Sequence, residues 1–258
     1  MIFKWLAQRR RRKMHQRPFP DDWLRVIQSN VRYFQRLQRA EQHKVCRDVQ
    51  VFVGEKNWEG CNGLPMTDEI KVTVSAHIAI LCLGFTEEYF DKVLSILVYP
   101  DAYVAHGHTI TRTGVVLEGD SHREGEAWYR GPVILSWADV LEDGRQDADG
   151  NNLILHEFAH QLDMQNGRVV DGVPPMRSQE QYERWQAIIS REYQQLVENY
   201  ERDRPTVLDV YGATDIGEFF AVATESFFEQ PQRLSDHHAE LFAVMQDYYQ
   251  QDPRVRFP

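Results

Sequence analysis

A chain of 258 residues is long enough to bury one large core or two small ones. Hydrophobic residues make up 42% of it, no apolar run nears the roughly 20 residues of a membrane-spanning helix, and a net charge of −10 argues against general affinity for nucleic acid. The three cysteines, Cys46, Cys61 and Cys82, form no CxxC pair, which excludes a disulfide framework and a cysteine-built metal site.

The charge is uneven. Residues 1–17 hold seven Lys/Arg and no acid, which leaves 22 of the 29 Lys/Arg against all 39 Asp/Glu in the remainder. The run RRRRK at 9–13 reads as a solvated, flexible basic tail, with an anionic partner as the other reading. The apolar start MIFKWLA precedes that run, is too short for a signal segment and leads to no small-residue cleavage site, so a cytoplasmic protein is expected.

In chain order, PDDWLRVIQSNVRYFQRL predicts helix over 18–44, with Trp23, Ile27, Val31 and Phe34 at helical spacing. The alternation in DVQVFVGEKNW predicts a strand over 48–58. Thr67 is placed to cap a buried helix that closes on Gly84, although its β-branched centre also suits a strand. VLSILVYP and GPVILSW read as strands, 105–130 as loops with short strands, and DGRQDADGNN as a loop. A buried helix follows over 153–163, then the loop NGRVVDGVPP, a polar amphipathic helix over about 178–200, a turn and helix ending near Pro231, and a last helix after His238. Strands and helices mix irregularly, so the fold class is α+β. The expected organisation is a tail at 1–17, a helical and mixed part at 18–105, and a catalytic part at 106–258, the last two packed as one unit.

The stretch NLILHEFAHQLD carries the chemistry. His156 and His160 lie four apart on a helix, hence on one face, where two imidazoles can share one metal ion. Glu157, beside the first, can reach a water on that ion and act as general base and acid. A catalytic zinc needs a third protein ligand. Gly and His are missing from positions 163 and 166, where Asp163 and Asn166 stand, so that ligand is not a histidine on the next turn. Three downstream glutamates are candidates. Glu180 sits in polar surroundings at a helix start. Glu218 opens the apolar EFFAVATESFF, where a charge needs a reason, although Asp215 before it would also suit a capping pair. Glu225 lies seven residues further, on the same face as Glu218. The other histidines, His106, His108, His122, His237 and His238, read as surface or locally bonded residues.

HEFAHQLD, then NG…GVP, then LDVYGATDIGEFFAVATESFFEQP, resemble the Mlc titration factor A family of bacterial zinc peptidases, whose catalytic core is related to anthrax lethal factor. The likeness is strongest over 131–231 and continues upstream through KVLSILVYPDAYV, whereas residues 1–20 match nothing in it. It implies a zincin-like core, one zinc ion per chain held by His156, His160 and Glu218, Glu157 as general base and acid, and Tyr211 as the hydroxyl facing the oxyanion. Asp163 and Glu225 fit as carboxylates that take the other ring N–H of a ligating histidine. GPVILSW would be the edge strand that pairs with a peptide substrate. The resemblance implies aminopeptidase activity and also a rival role, the binding of a transcriptional repressor of the Mlc type. The loop 164–177 and the residues after Pro231 are the segments placed to cover the cleft.

Overall fold

Where apolar residues recur along the chain largely decides which segments become helices. The computed structural model describes residues 2–101, 104–105, 108–111, 114–117, 131–146, 149–167 and 169–257. Helix α1 (Ile2–His15) holds the arginine run, α2 (Asp21–Asn30) starts on the two aspartates after Pro20, and a 3-10 turn covers Arg32–Arg36. Helix α3 (Arg39–Glu55) opens with a capping box of Gln38 and Glu41. The helical region expected over 18–44 is thus interrupted, with Val31 and Leu37 in extended or irregular conformations.

Two expectations are corrected here. Residues 48–55 are the last turns of α3, and only Asn57–Gly60 (β1) is extended. Val45, Val49 and Phe52 recur at helical spacing and all are 0% exposed, so burial of one helix face overrides the strand propensity of the valines. Nor do residues 2–17 form a free tail. Arg11 pairs with Glu55 at 2.7 Å and with Asp91, and lies 4.4 Å over the Tyr89 ring. Met14 fills the space that a Cβ on Gly54 would need. Glu55 is nearly buried and takes Arg10 as well, so α1 neutralises a carboxylate that the body would otherwise leave alone.

Helix α4 (Asp68–Leu81) begins where the Thr67 hydroxyl accepts the Ile70 amide at 3.3 Å, and it is buried from Val72 to Leu81. It packs against α2 and α3. Strand β2 (Ser95–Tyr99) follows, then a meander of β3 (Val104–Ala105), β4 (His108–Thr111) and β5 (Gly114–Leu117). His106 and His122 lie outside the described residues, as does the stretch 118–130. Strand β6 (Val133–Ser136) pairs parallel with β2, Ile96 opposite Val133, and β1 pairs parallel on the other side of β2. Among the described residues this small sheet has the order β1-β2-β6, with β6 at an edge.

Helix α5 (Trp137–Arg145), which the periodicity does not announce, is capped by Ser136. Then come α6 (Leu153–Asp163), α7 (Gln179–Glu201), a 3-10 turn at Val210–Ala213, α8 (Ile216–Glu229), α9 (Pro231–His237) and α10 (Ala239–Tyr249). Helix α8 is buried on nearly all sides. Phe219, Phe220, Phe227 and Phe228 are fully enclosed, with Phe220 5.5 Å from Trp185 of α7 and Phe228 5.2 Å from Tyr249 of α10. One apolar core runs from Ile27 to Tyr249. Helices α6 and α8 pack on each other within it, and α4 supports α6 from below.

Lys56 anchors the segment that leads into β2. It is 9% exposed and donates to the carbonyls of Tyr89, Phe90 and Val93 at 2.7, 2.6 and 2.9 Å. Phe90, at a positive φ of 49°, then meets Phe158 of α6 edge-on at 4.8 Å. Lys56→Met leaves three buried carbonyls without their donor. It should lower stability by about 1.5–3 kcal/mol, seen as a lower urea midpoint at unchanged slope.

Candidate metal centre

The start of α6 is fixed by two acceptors. The Asn152 side chain accepts the Leu155 amide at 3.1 Å, and the Asp143 carboxylate accepts the Leu153 amide at 2.8 Å. The apolar face of Leu153, Ile154, Leu155, Phe158, Ala159 and Leu162 then turns inward. This leaves His156 and His160 one turn apart, their ring centres 4.9 Å from each other. At the start of α8, Asp215 accepts the amides of Gly217 and Glu218 at 2.8 and 2.9 Å. Asp215 is the cap, as its position suggested, but Glu218 does not fold back to complete a box. Its carboxylate crosses to the two histidines.

The three donor atoms form a small triangle. Nε2 of His156 is 3.2 Å from Nε2 of His160, and Oε2 of Glu218 is 3.0 Å from the first and 3.4 Å from the second. A tetrahedral centre with ligands at about 2.0–2.1 Å sets its ligand atoms roughly 3.3 Å apart. These three residues are the one His/Cys/Asp/Glu group of metal-binding geometry among the described residues. Hydrogen-bond chemistry points the same way. Nδ1 of His156 lies 2.7 Å from Oε1 of Glu225 and donates to it. A neutral His156 then turns the lone pair of Nε2 toward the Glu218 oxygen, two acceptors face to face, unless a cation sits between them. Burial pulls His156 down, but the carboxylates of Glu225 and Glu218 outweigh it and raise it well above its ordinary value. Burial likewise opposes ionisation of Glu218, yet the two imidazoles hold it down at about 2. The residues therefore fit a divalent metal ion.

The remaining predicted residues are distributed as follows. Glu157 and Tyr211 line one cleft with His156, His160 and Glu218, a space of about 350 Å³. Tyr211 is half-buried on the 3-10 turn, its amide held by Asp209 at 2.8 Å and its ring centre 6.1 Å from that of His156. Pro132 and, from β6, Val133 and Ile134 form another wall, and Met164 and Val170 bring the 164–177 loop to the rim, whereas none of the described residues after Pro231 lines it. Glu225 lies beneath, on the far side of His156, and is not part of the triangle. Glu180 is exposed in the first turn of α7, away from the site. Asp163 takes a different role from the one expected. Its carboxylate accepts the amides of Gly172 and Val173 at 2.7 and 3.0 Å and so ties down the loop, while Nδ1 of His160 has no hydrogen-bond partner among the described residues. A loop of paired amides satisfies a buried carboxylate better than one ring N–H does.

Sequence reasoning missed the polar layer under α6. Asn152 donates its backbone amide to Oε2 of Glu225 at 2.7 Å, and its side-chain amide to Glu229 at 3.1 Å and to Nδ1 of His77 at 3.3 Å. Burial pulls His77 down to about 4, which keeps it a neutral acceptor. The signal was present in the i, i+4 pair Glu225 and Glu229 inside an apolar helix, but their partners His156 and Asn152 lie 69 to 77 residues away in sequence.

Two imidazoles and a carboxylate in one small triangle, with a further glutamate facing the same cleft, define a metallopeptidase-type centre on a mostly helical α+β fold. The chain belongs to the family described as Glucose-regulated metallo-peptidase M90, which it matches over residues 5–250. It is 39% identical over 252 residues to uncharacterized protein slr2042 of Synechocystis sp. (strain ATCC 27184 / PCC 6803 / Kazusa), covering 97% of this chain and 91% of that one. It is 32% identical over 226 residues to the Mlc titration factor A of Cronobacter sakazakii, covering 85% and 83%, and 28% identical over 222 residues to that of Serratia proteamaculans, covering 85% and 84%. These relatives bear out the resemblance read from the motifs.

Glu225→Gln replaces one acceptor oxygen with an amide that faces a donor. It should weaken metal affinity about 10–100-fold, measured with added divalent ion by competition with a chromophoric chelator, while the circular dichroism spectrum stays unchanged. Burial pushes Asp143 up to about 8, so the folded chain holds a proton there that the unfolded chain releases. The stability this contributes is full in acid and is lost as pH rises from the ordinary aspartate value of 3.8 to about 8, beyond which it is gone. Asp143→Asn keeps the acceptor for Leu153 and removes the charge, so its melting temperature relative to wild type should climb across that window.

Proposed function

We propose that this protein is a zinc-dependent peptidase of the cytoplasm that acts as an aminopeptidase on peptide substrates. The observation that carries this reading is the triangle of His156, His160 and Glu218, with Glu157 facing the same cleft. An N, N, O donor set of this size suits zinc. The aminopeptidase preference comes from the family resemblance. For the cytoplasm, what supports it is three free cysteines and the lack, among the described residues, of any helix long and apolar enough to cross a membrane.

Bound by the triangle, zinc would polarise the scissile carbonyl and bring the pKa of a coordinated water to about 7. Glu157 takes the proton from the attacking water and passes it to the leaving amine. Burial raises its carboxyl, while His156 and His160 pull it back, which makes it a stronger base than an exposed glutamate. Tyr211 donates to the oxyanion from across the cleft. Burial and the neighbouring carboxylates keep its phenol protonated, as a donor must be. The edge strand β6 gives an extended peptide a backbone to pair with. Glu225 holds the His156 ring in place through Nδ1.

A second reading rests on the relatives called Mlc titration factor A. In it the chain binds a transcriptional repressor and peptide cleavage is secondary. Glu157 weighs against a purely structural metal site, which has no use for a base.

The test combines metal content with cleavage of free and N-blocked aminoacyl and longer fluorogenic peptides. Wild type should bind one zinc per chain and cleave the free amino termini faster. Glu157→Gln should keep the zinc and lose about 10²–10⁴ in kcat. Glu218→Ala should lose both metal and activity. Tyr211→Phe should lose about 10²–10³ in kcat with little change in KM. Zinc bound without any cleavage, together with repressor capture by both wild type and Glu157→Gln, would favour the binding role. No zinc bound at all would overturn both the metal site and the enzyme.

A further inference from the structure

The arginine run takes no part in the metal centre, and its placement on α1 gives it two unlike faces. One face turns to the protein. Arg11 pairs with Glu55 and Asp91, and Met14 sits against Gly54. The opposite face carries Trp5, Leu6, Arg9, Arg12 and Lys13, which helical spacing brings to one side. Trp5 is 57% and Leu6 47% exposed, and Arg9 lies 5.5 Å over the Trp5 ring. Arg9, Arg12 and Lys13 are exposed and pair with no carboxylate among the described residues. In a chain with 39 acidic residues, three unpaired cations beside two exposed apolar side chains call for an anionic surface with an apolar interior.

We propose that α1 docks this protein on an anionic phospholipid surface. Trp5 and Leu6 enter the headgroup layer, and Arg9, Arg12 and Lys13 lie along the lipid phosphates with their stems toward the apolar side. Charge decides against the rest of the molecule making the contact, because beyond residue 17 the chain holds 22 basic against 39 acidic residues and is repelled. The same charge disfavours nucleic acid. A duplex would run on beyond a helix about 21 Å long and meet the acidic body, and it would offer Trp5 and Leu6 nothing to enter. A lipid surface needs only the outward face of α1. The docking rests on α1 alone and is independent of the metal centre.

The experiment is co-sedimentation of the full chain with vesicles of phosphatidylcholine alone or mixed with phosphatidylglycerol, over a range of salt. Wild type should partition onto the mixed vesicles only, and less as salt rises. Arg9→Ala/Arg12→Ala/Lys13→Ala should weaken that partition about a hundredfold, since each cation at an anionic surface contributes about fivefold. Trp5→Ser/Leu6→Ser should remove the binding that survives high salt. Both variants should melt with wild type, because these side chains lie outside the core, and the lipid and salt comparison on wild type stands without them. Equal partition onto phosphatidylcholine, or full binding by the charge variant, would overturn the proposal. So would a chain that ignores vesicles but shifts a DNA duplex.

Discussion

His156 has a carboxylate on each side, and both come from α8. Glu225 holds Nδ1 at 2.7 Å and Glu218 stands 3.0 Å from Nε2, two helical turns apart on one face. Taking such groups from water costs several kcal/mol per ion unless each finds partners. The rest of the site follows from meeting that cost. Helix α8 must pack tightly on α6 to bring the carboxylates in, and its four enclosed phenylalanines hold it there. Two carboxylates around one imidazole still leave an excess of negative charge, and a divalent cation at the triangle would balance it.

The polar layer beneath shows the same economy. Asn152 caps α6 with its side chain and orients Glu225 with its amide, so the residue that starts the helix also sets the ring of the first histidine. Asp143 holds the neighbouring amide, and Asp163, at the far end of the helix, holds the loop that reaches the cleft rim. Each end of α6 is thereby tied to a different part of the fold. A rigid element of this kind keeps ligands in register better than a loop could.

The outer parts are arranged differently. Helix α1 neutralises Glu55 through Arg10 and Arg11, yet leaves its other face unpaired. Lys56, the residue after Glu55, ties the 89–93 segment to the end of α3, and Phe90 in that segment touches Phe158 of α6. Helices α1 and α3 therefore bear on the site through packing, whereas α4 also reaches it through the hydrogen bond between His77 and Asn152.

The histidine pair was legible in the sequence because its geometry is local. Four residues make about one helical turn, and that alone puts His156 and His160 on one face with Glu157 beside them. The α+β class, the strand in GPVILSW and the buried helix at 67–84 were legible for the same reason, through caps and periodicity. The strand expected over 48–58 was not what formed, since valines at helical spacing were buried by α4, a neighbour no local window contains. Which of Glu218, Glu225 and Glu180 stands beside both histidines likewise belonged to the tertiary structure, apart from the family resemblance. All three are glutamates at plausible distances along the chain, and only the packing of α8 on α6 turns one toward Nε2 and another toward Nδ1. The role of Asp163 was decided in the same way, by two loop amides that arrive from Gly172 and Val173. Sequence specified the residues that can bind and the helix that carries them; the fold decided which side of the ring each carboxylate meets, because that depends on contacts between segments distant in the chain.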